Sequence, residues 1–258
     1  EVESVLEKIF SGECGNFIGA SRTDRGVHAL GNILSFDTEM PRKAENYERA
    51  LNSFLPGDIR VLLVKEKTEA FHPRFTEHSK EYRYSVDRAR VQNPLTRRLY
   101  YHYTYPLDLL KMRDAASRLA GEHDFTSFAN PKAQSLLQGG SAVRTVQSFS
   151  IEEEGEYLYF TVKGDGFLYH MVRILSGTLL EVGRGKREPE DIEEILRGKD
   201  RRLAGPTAPP EGLCLLHLDY GDAFIKEKDS FFLGKWDIIG KGVFRRRRIG
   251  ISREEAAE

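Results

Sequence analysis

The sequence predicts an α+β protein in which two sequential halves contribute to a largely antiparallel sheet, with helices on one face and a central cleft for a site. Three observations lead there. Glu77–Asp87 alternates so that Lys80, Tyr82, Tyr84 and Val86 share one face, as a strand requires. Val143–Glu152 and Tyr157–Lys163 alternate on either side of Glu153-Glu154-Gly155-Glu156, the pattern of a hairpin. Amphipathic helical stretches are interleaved with these strands, and no repeat of roughly 20 to 50 residues points to a solenoid. An antiparallel sheet covered on one side leaves its other face free to meet a ligand.

The elements follow in order. Val2, Val5, Leu6, Ile9 and Phe10 fall on one face of a first helix that ends before Gly12. Asn16–Ala20 and Leu30–Phe36 read as strands on either side of a polar loop. A second helix follows Pro41, with Tyr47, Ala50, Leu51, Phe54 and Leu55 as its stripe and Pro56-Gly57 as its stop. Asp58–Lys67 reads as a strand, and Phe71-His72-Pro73-Arg74-Phe75 as a hinge before the alternating run to Asp87. Arg-rich and Tyr-rich sequence broken by Asn93-Pro94 then marks the crossing between an N-terminal half, 1–90, and a C-terminal half, 91–220.

The second half opens with a helix from Asp108 to Leu119, closed by Gly121. After the hairpin a long helix is expected from Phe167 to Val182, with Met171, Ile174, Leu175, Thr178 and Val182 as its buried stripe. Arg173 lies nearly opposite that stripe, beside Tyr169, Ser176, Gly177 and Leu180; so little of that side is polar that cover on both faces is expected. A short helix from Pro189 to Leu196, a loop through Ala204–Pro210 and an apolar strand Leu213–Leu218 complete the half. Residues 221–258 form an extension of unassigned role, containing a possible strand over Phe231–Ile239, a basic run Arg245–Arg248 and a charged tail.

Composition narrows the chemistry. With 39 Lys and Arg against 40 Asp and Glu, the formal net charge is −1, so any nucleic-acid binding must come from local clusters such as Arg97-Arg98, Arg184–Arg187 and Lys199–Arg202. No run approaches the roughly 20 apolar residues of a membrane-spanning helix, and no secretory leader is visible, so no membrane partner is expected. Two cysteines, Cys14 and Cys214, far apart in sequence, suit a reducing, cytoplasmic setting. The seven histidines are scattered and form no H-E-x-x-H, Gly185-Lys186-Arg187 lacks the Ser or Thr of a phosphate loop, and no G-x-G-x-x-G follows a strand. No metal and no organic cofactor is therefore expected.

What remains is an acid, aromatics and arginines. Asp24 lies on the tight loop Ala20-Ser21-Arg22-Thr23-Asp24-Arg25-Gly26-Val27-His28-Ala29, between two rigid elements, where scaffolds carry chemistry. It could equally bond its own backbone in an Asx-turn, with Gly26 supplying a positive φ. Flanked by Arg22 and Arg25, an Asp here favours its charged form, which serves as nucleophile or base but not as acid. Tyr82 is a candidate platform for an unstacked base, or a sheet residue packed beneath a helix. Arg173 either snorkels from the surface or turns inward, and inward it requires an acid, for which Asp24 is the candidate.

The loop Arg22-Thr23-Asp24-Arg25-Gly26-Val27-His28-Ala29 resembles the R-T-D-x-G-V-H-A signature of the TruA family of tRNA pseudouridine synthases. Further blocks are similar to the family's in the same order: Phe71–Phe75 with Lys80-Glu81-Tyr82-Arg83-Tyr84, then Gly121-Glu122-His123-Asp124-Phe125 with Ser127-Phe128, then Phe167-Leu168-Tyr169-His170-Met171-Val172-Arg173 with Gly177. Ile174 departs from the family's frequent Asn and touches no proposed role. The resemblance covers about residues 1–220 and implies a leading strand ahead of the first helix, so residues preceding Glu1 are expected. It implies isomerisation of uridine to pseudouridine in the anticodon arm of tRNA, around nucleotides 38 to 40, by a homodimer without cofactor. It further implies that Asp24 is the essential nucleophile or base and that Arg173 pairs with it. Tyr82 is implied to contact the target base and share in proton transfer at carbon 5, and Arg22 to take the place of the extruded base or steady its backbone. The rival class is an RNA-binding module without catalysis, which would stack single strands on exposed tyrosines of the sheet. A hydrolase built on Asp24 would call for a second carboxylate across the cleft, and none is identifiable.

Overall fold

The computed structural model describes residues 1–12, 14–39 and 42–221, together with the backbone of 235–239 and 243–247. The order is α1 (Val2–Ile9), β1 (Cys14–Gly19), β2 (His28–Ala29), β3 (Leu34–Thr38), α2 (Ala44–Phe54), β4 (Ser79–Asp87), β5 (Tyr101–His102), α3 (Leu109–Ser117), β6 (Gly121–Asp124), α4 (Gln134–Leu137), β7 (Val143–Glu154), β8 (Tyr157–Gly164), α5 (Met171–Gly183), α6 (Asp191–Gly198) and β9 (Leu213–Asp219). Two further strands, β10 (Lys235–Ile239) and β11 (Val243–Arg247), pair antiparallel with each other. The expected strand over 231–239 is thus seen in its second part; residues 231–234, Arg248 and the tail lie outside the described residues, as does Pro41.

Seven strands form the central sheet in the order β2-β9-β4-β8-β7-β6, with β5 added alongside β4. Pairing is antiparallel throughout the middle of the sheet, and only β2 with β9 and β4 with β5 run parallel. The period-two reading of β4 explains its two faces. Tyr82, Tyr84 and Val86 are buried, opposite Val162, Phe160 and Leu158 of β8, beneath α3 and α5. Between them, Glu81 meets His217 at 3.1 Å and Arg83 covers the Tyr159 ring at 5.2 Å, so the reverse face is polar. The hairpin β7-β8 turns at Gly155, whose φ of +60° suits a residue without Cβ. Asp108 caps α3 by accepting from the Leu110 and Lys111 amides.

A second, smaller core gathers α1, α2 and the two-stranded β1-β3 unit around Leu6, Phe10, Tyr47, Leu51 and Leu55. Here two expectations are corrected. The strand expected from Asp58 to Lys67 is absent: Asp58 lies in a turn and residues 59–68 are irregular. Among the described residues β1 and β3 pair only with each other, and this segment adds to neither of their edges. The Asn52 side chain holds it instead, donating to the Val61 carbonyl and accepting from the Val61 amide, both at 2.8 Å. The expected strand Leu30–Phe36 is shortened instead: only its end, from Leu34, lies in β3, while His28–Ala29 just ahead of it form β2 beside β9, and the chain crosses between the two. Gly31 permits the crossing, since a Cβ there would stand 2.8 Å from the Leu216 carbonyl oxygen.

Candidate active site

The loop between β1 and β2 is fixed at both ends by different sheets. The Ala20 amide donates to the Ile33 carbonyl at 2.8 Å, on the side of the small unit, and the Leu30 amide to the Leu215 carbonyl at 2.8 Å, on the side of the central sheet. Between these anchors the Val27 amide closes a turn on the Asp24 carbonyl at 3.0 Å, and Gly26 adopts φ +86°. The turn is made by the Asp24 backbone. Its side chain makes no Asx-turn and points to α5, 149 residues later.

There Arg173 Nη1 donates to Asp24 Oδ2 at 2.7 Å, with the two side chains 12 % and 18 % exposed. The guanidinium is itself held, because its Nε donates to the Ala208 carbonyl at 2.7 Å and the Ala208 amide returns a bond to the Arg173 carbonyl at 3.1 Å. That loop can lie so close only because residue 177 is glycine. A Cβ there would stand 1.9 Å from the Pro206 carbonyl oxygen. At the next residue, the Gly205 amide donates to Thr178 Oγ1 at 2.9 Å, and Tyr84 Oη donates to the Pro209 carbonyl at 2.8 Å. Both faces of α5 are covered, and Arg173 turns inward.

Helix α5 starts at Met171, four residues later than Phe167, because His170 takes the left-handed conformation with φ 65°. Its imidazole Nε2 lies 3.2 Å from Asp24 Oδ2. Arg173 and His170 therefore both approach the same oxygen, and Oδ1 has no protein partner among the described residues.

Tyr82 lines the same cleft with Arg22, Asp24, Phe167, Tyr169 and Leu213. It is only 8 % exposed, its ring set edge-on to Phe167 at 5.3 Å. Burial, and secondarily the nearby Asp24 charge, push its phenol up, while a hydrogen bond with Ser21 acts in the opposite sense. Beside it Lys80 Nζ donates to Ser21 Oγ at 2.8 Å, and burial, then Arg74 and Arg144, lower its pKa. Arg22 is exposed at the rim and has no carboxylate partner among the described residues. The structure thus brings Asp24, Arg173, Tyr82 and Arg22 to one cleft. It sets the cleft on the helix-covered side of the sheet, not on the free face, and with Tyr82 and Tyr84 buried the sheet does not display the tyrosines that a simple stacking module needs.

Three contributors were not singled out from sequence. His170 stood inside a quoted block without a role, and nothing local announces a left-handed residue ahead of a helix. Lys80 shared the Tyr82 face by alternation, which was the available signal. Asn130 reaches the site from 40 residues upstream of His170, and only the fold reveals it. Among the described residues no cluster of three His, Cys, Asp or Glu is placed to hold a metal ion, and no helix is long and apolar enough to cross a membrane. Cys14 is buried, and burial pushes the Cys214 thiol up to about 11.

An α+β sheet protein that anchors one charged acid, by an arginine from a distant helix, in a cleft floored by tyrosine has the outline of a base-modifying enzyme. Comparison with known proteins gives the class directly. The chain matches the tRNA pseudouridine synthase family over residues 2–76 and 115–221. It is 44 % identical over 222 residues to tRNA pseudouridine synthase A of Listeria innocua, covering 85 % of this chain and 88 % of that protein. The corresponding Bacillus pumilus protein is 45 % identical over 223 residues, covering 85 % and 88 %, and that of Geobacillus kaustophilus 43 % over 222 residues, covering 86 % and 84 %. The chain belongs to the tRNA pseudouridine synthase family, a class of isomerases.

Proposed function

We propose that this protein converts uridine to pseudouridine in the anticodon stem-loop of tRNA, around nucleotides 38 to 40, with Asp24 as the essential group. The observation that supports the reading best is the asymmetry of the Asp24 carboxylate: Arg173 donates to Oδ2, His170 Nε2 stands 3.2 Å from the same oxygen, and Oδ1 is left for the nucleoside.

In the reaction the glycosidic bond from N1 to the sugar breaks, the uracil turns while enclosed, and carbon 5 bonds to C1′. The proton lost from carbon 5 balances the one gained at N1. Asp24 Oδ1 serves either as nucleophile at the sugar or as base at C2′, and both roles need a charged oxygen without a competing donor. Tyr82 lies against the base, and its phenol remains protonated at rest. Arg22, exposed and without a carboxylate, fills the space of the extruded base or holds its phosphate. Arg173 orients Asp24 and offsets its charge. We extend the reading to a homodimer that shares one tRNA between subunits, to a cytoplasmic location, and to a division into halves 1–90 and 91–220 that meet at the Asp24–Arg173 pair.

Asp24→Asn keeps shape and removes charge. Pseudouridine measured in a nuclease digest of treated tRNA should fall by more than about 10³-fold, with tRNA affinity changed only a few-fold. Retained turnover refutes the assignment of Asp24. Transcripts carrying cytidine in place of each anticodon-arm uridine in turn test the position: loss of product only outside nucleotides 38 to 40 would relocate the target.

A further inference from the structure

His170 is held from both ends. Its backbone φ of 65° is costly for a residue with a side chain, roughly 1–2 kcal/mol, and such strain persists only where surroundings impose it. The surroundings are the loop that carries Asn130. The Asn130 amide donates to the Tyr169 carbonyl at 3.0 Å, fastening the loop to the residue before His170. The Asn130 side chain then meets the ring, with Nδ2 2.9 Å from His170 Nδ1.

Which way the Asn130 amide points is decided by a third bond. Its Oδ1 accepts from the Lys132 amide at 2.9 Å, so the atom facing the imidazole is the NH2 group. An NH2 group can only donate, and His170 Nδ1 must present a lone pair to it. The ring proton then resides on Nε2, the nitrogen that faces Asp24 Oδ2 at 3.2 Å.

We propose that Asn130 is a positioning residue of the isomerase: it selects the neutral Nε2–H form of His170, which donates to Asp24 Oδ2 and, with Arg173, leaves Oδ1 open. This rests on the reading of Asp24 as the essential group. A neutral donor steadies the carboxylate without adding a second full positive charge, which would weaken it as nucleophile or base. The groups that face the ring agree with this. Burial lowers the pKa of His170 below 6.5, and Arg173 and Arg201 act in the same direction against the opposing charge of Asp24. Protonation at Nδ1 would in addition set N–H against the Asn130 NH2.

The test is Asn130→Asp, which keeps size and the bond from Lys132 but turns the donor facing the ring into an acceptor. Ring-nitrogen NMR of the whole protein, with the His170 signals assigned by their absence in His170→Asn, should show at neutral pH a bare Nδ1 and a protonated Nε2. In Asn130→Asp the imidazolium should persist to higher pH. For turnover on tRNA, kcat should fall by about 10- to 100-fold with KM within about twofold, the range lost when partners orienting a functional histidine are removed. The acid limb of the kcat profile should move to higher pH, which a merely structural role would not produce. A wild-type ring protonated on Nδ1 at neutral pH, or an Asn130→Asp enzyme with the wild-type pH profile, overturns the proposal. Turnover retained by Asp24→Asn would instead overturn the reading beneath it, and the NMR result, which needs no turnover, separates the two failures.

Discussion

Two irregular segments of this protein each lie along a helix, and they are held in opposite ways. Residues 204–210 press backbone against backbone on α5: the Pro206 carbonyl occupies the space above Gly177, the Gly205 amide bonds Thr178, and Ala208 exchanges bonds with Arg173 from both its amide and its carbonyl. Residues 59–68 lie beside α2 with Asn52 as their clamp and Ile59, Val61 and Val64 as their apolar anchors, and Leu62 and Leu63 remain exposed. Both are coil, and only the first supports a charged pair at a cleft. Here the site is steadied by how closely an irregular segment is held against the helix that carries Arg173.

The sharpest way to break the first arrangement is Arg173→Ala. It removes the partner of a largely buried carboxylate and the side-chain bond to the Ala208 carbonyl, so stability should fall by roughly 3 kcal/mol in urea unfolding. Turnover should fall by about 10²-fold in the folded fraction, because a misplaced reacting group costs that much. Arg173→Lys tells charge from geometry. One ammonium cannot serve both the Ala208 carbonyl and Asp24 Oδ2 from the fork positions, so part of the stability should return and little of the turnover. Full activity in Arg173→Lys would mean that the carboxylate needs only a nearby positive charge.

Gly177→Ala addresses the close approach itself and is expected to be milder. In an open helix the change would gain about 1 kcal/mol from propensity. Here the new Cβ stands 1.9 Å from the Pro206 carbonyl oxygen, and backbone has to move. Overpacking of this kind costs about 1–3 kcal/mol, so net destabilisation of roughly 1–2 kcal/mol is expected, with kcat reduced about tenfold as Ala208 withdraws from Arg173. A more stable and fully active variant would show that the loop is not tightly seated.

The same contrast explains what could be read from sequence. Strands β4, β7 and β8 and helices α1, α2 and α5 were legible because each carries a period, β9 as an apolar run, α3 by its closing Gly121, and Asp24, Arg22, Tyr82 and Arg173 because they stand in motifs with fixed spacing. Residues 58–67 also carry a short β-branched apolar run, Ile59 and Val61–Val64, yet such a run does not record whether a neighbour offers hydrogen bonds. The strand expected at 30–36 begins only at Leu34, because the chain crosses between sheets at Gly31, whose reason is a carbonyl of Leu216, far later in the chain. His170 and Asn130 escaped for the same cause, since a tautomer is set by a contact that no local pattern encodes.

Asn52→Ala carries the smallest expected effect and tests the other half of the comparison. The substitution removes the pair of bonds to Val61, each worth about 1 kcal/mol net, and returns about 0.6 kcal/mol through the better helix propensity of Ala within α2. A loss of about 1–1.5 kcal/mol should follow, and hydrogen exchange should quicken at Val61 while the amides of β4 and β8 keep their protection. Turnover of the folded protein should stay within about twofold, because the clamp touches no side chain of the cleft. If instead turnover fell as it does in Gly177→Ala, the small core would have to be passing strain to the Asp24 loop through β1 and the Ala20–Ile33 bond, and the two segments would differ in degree only.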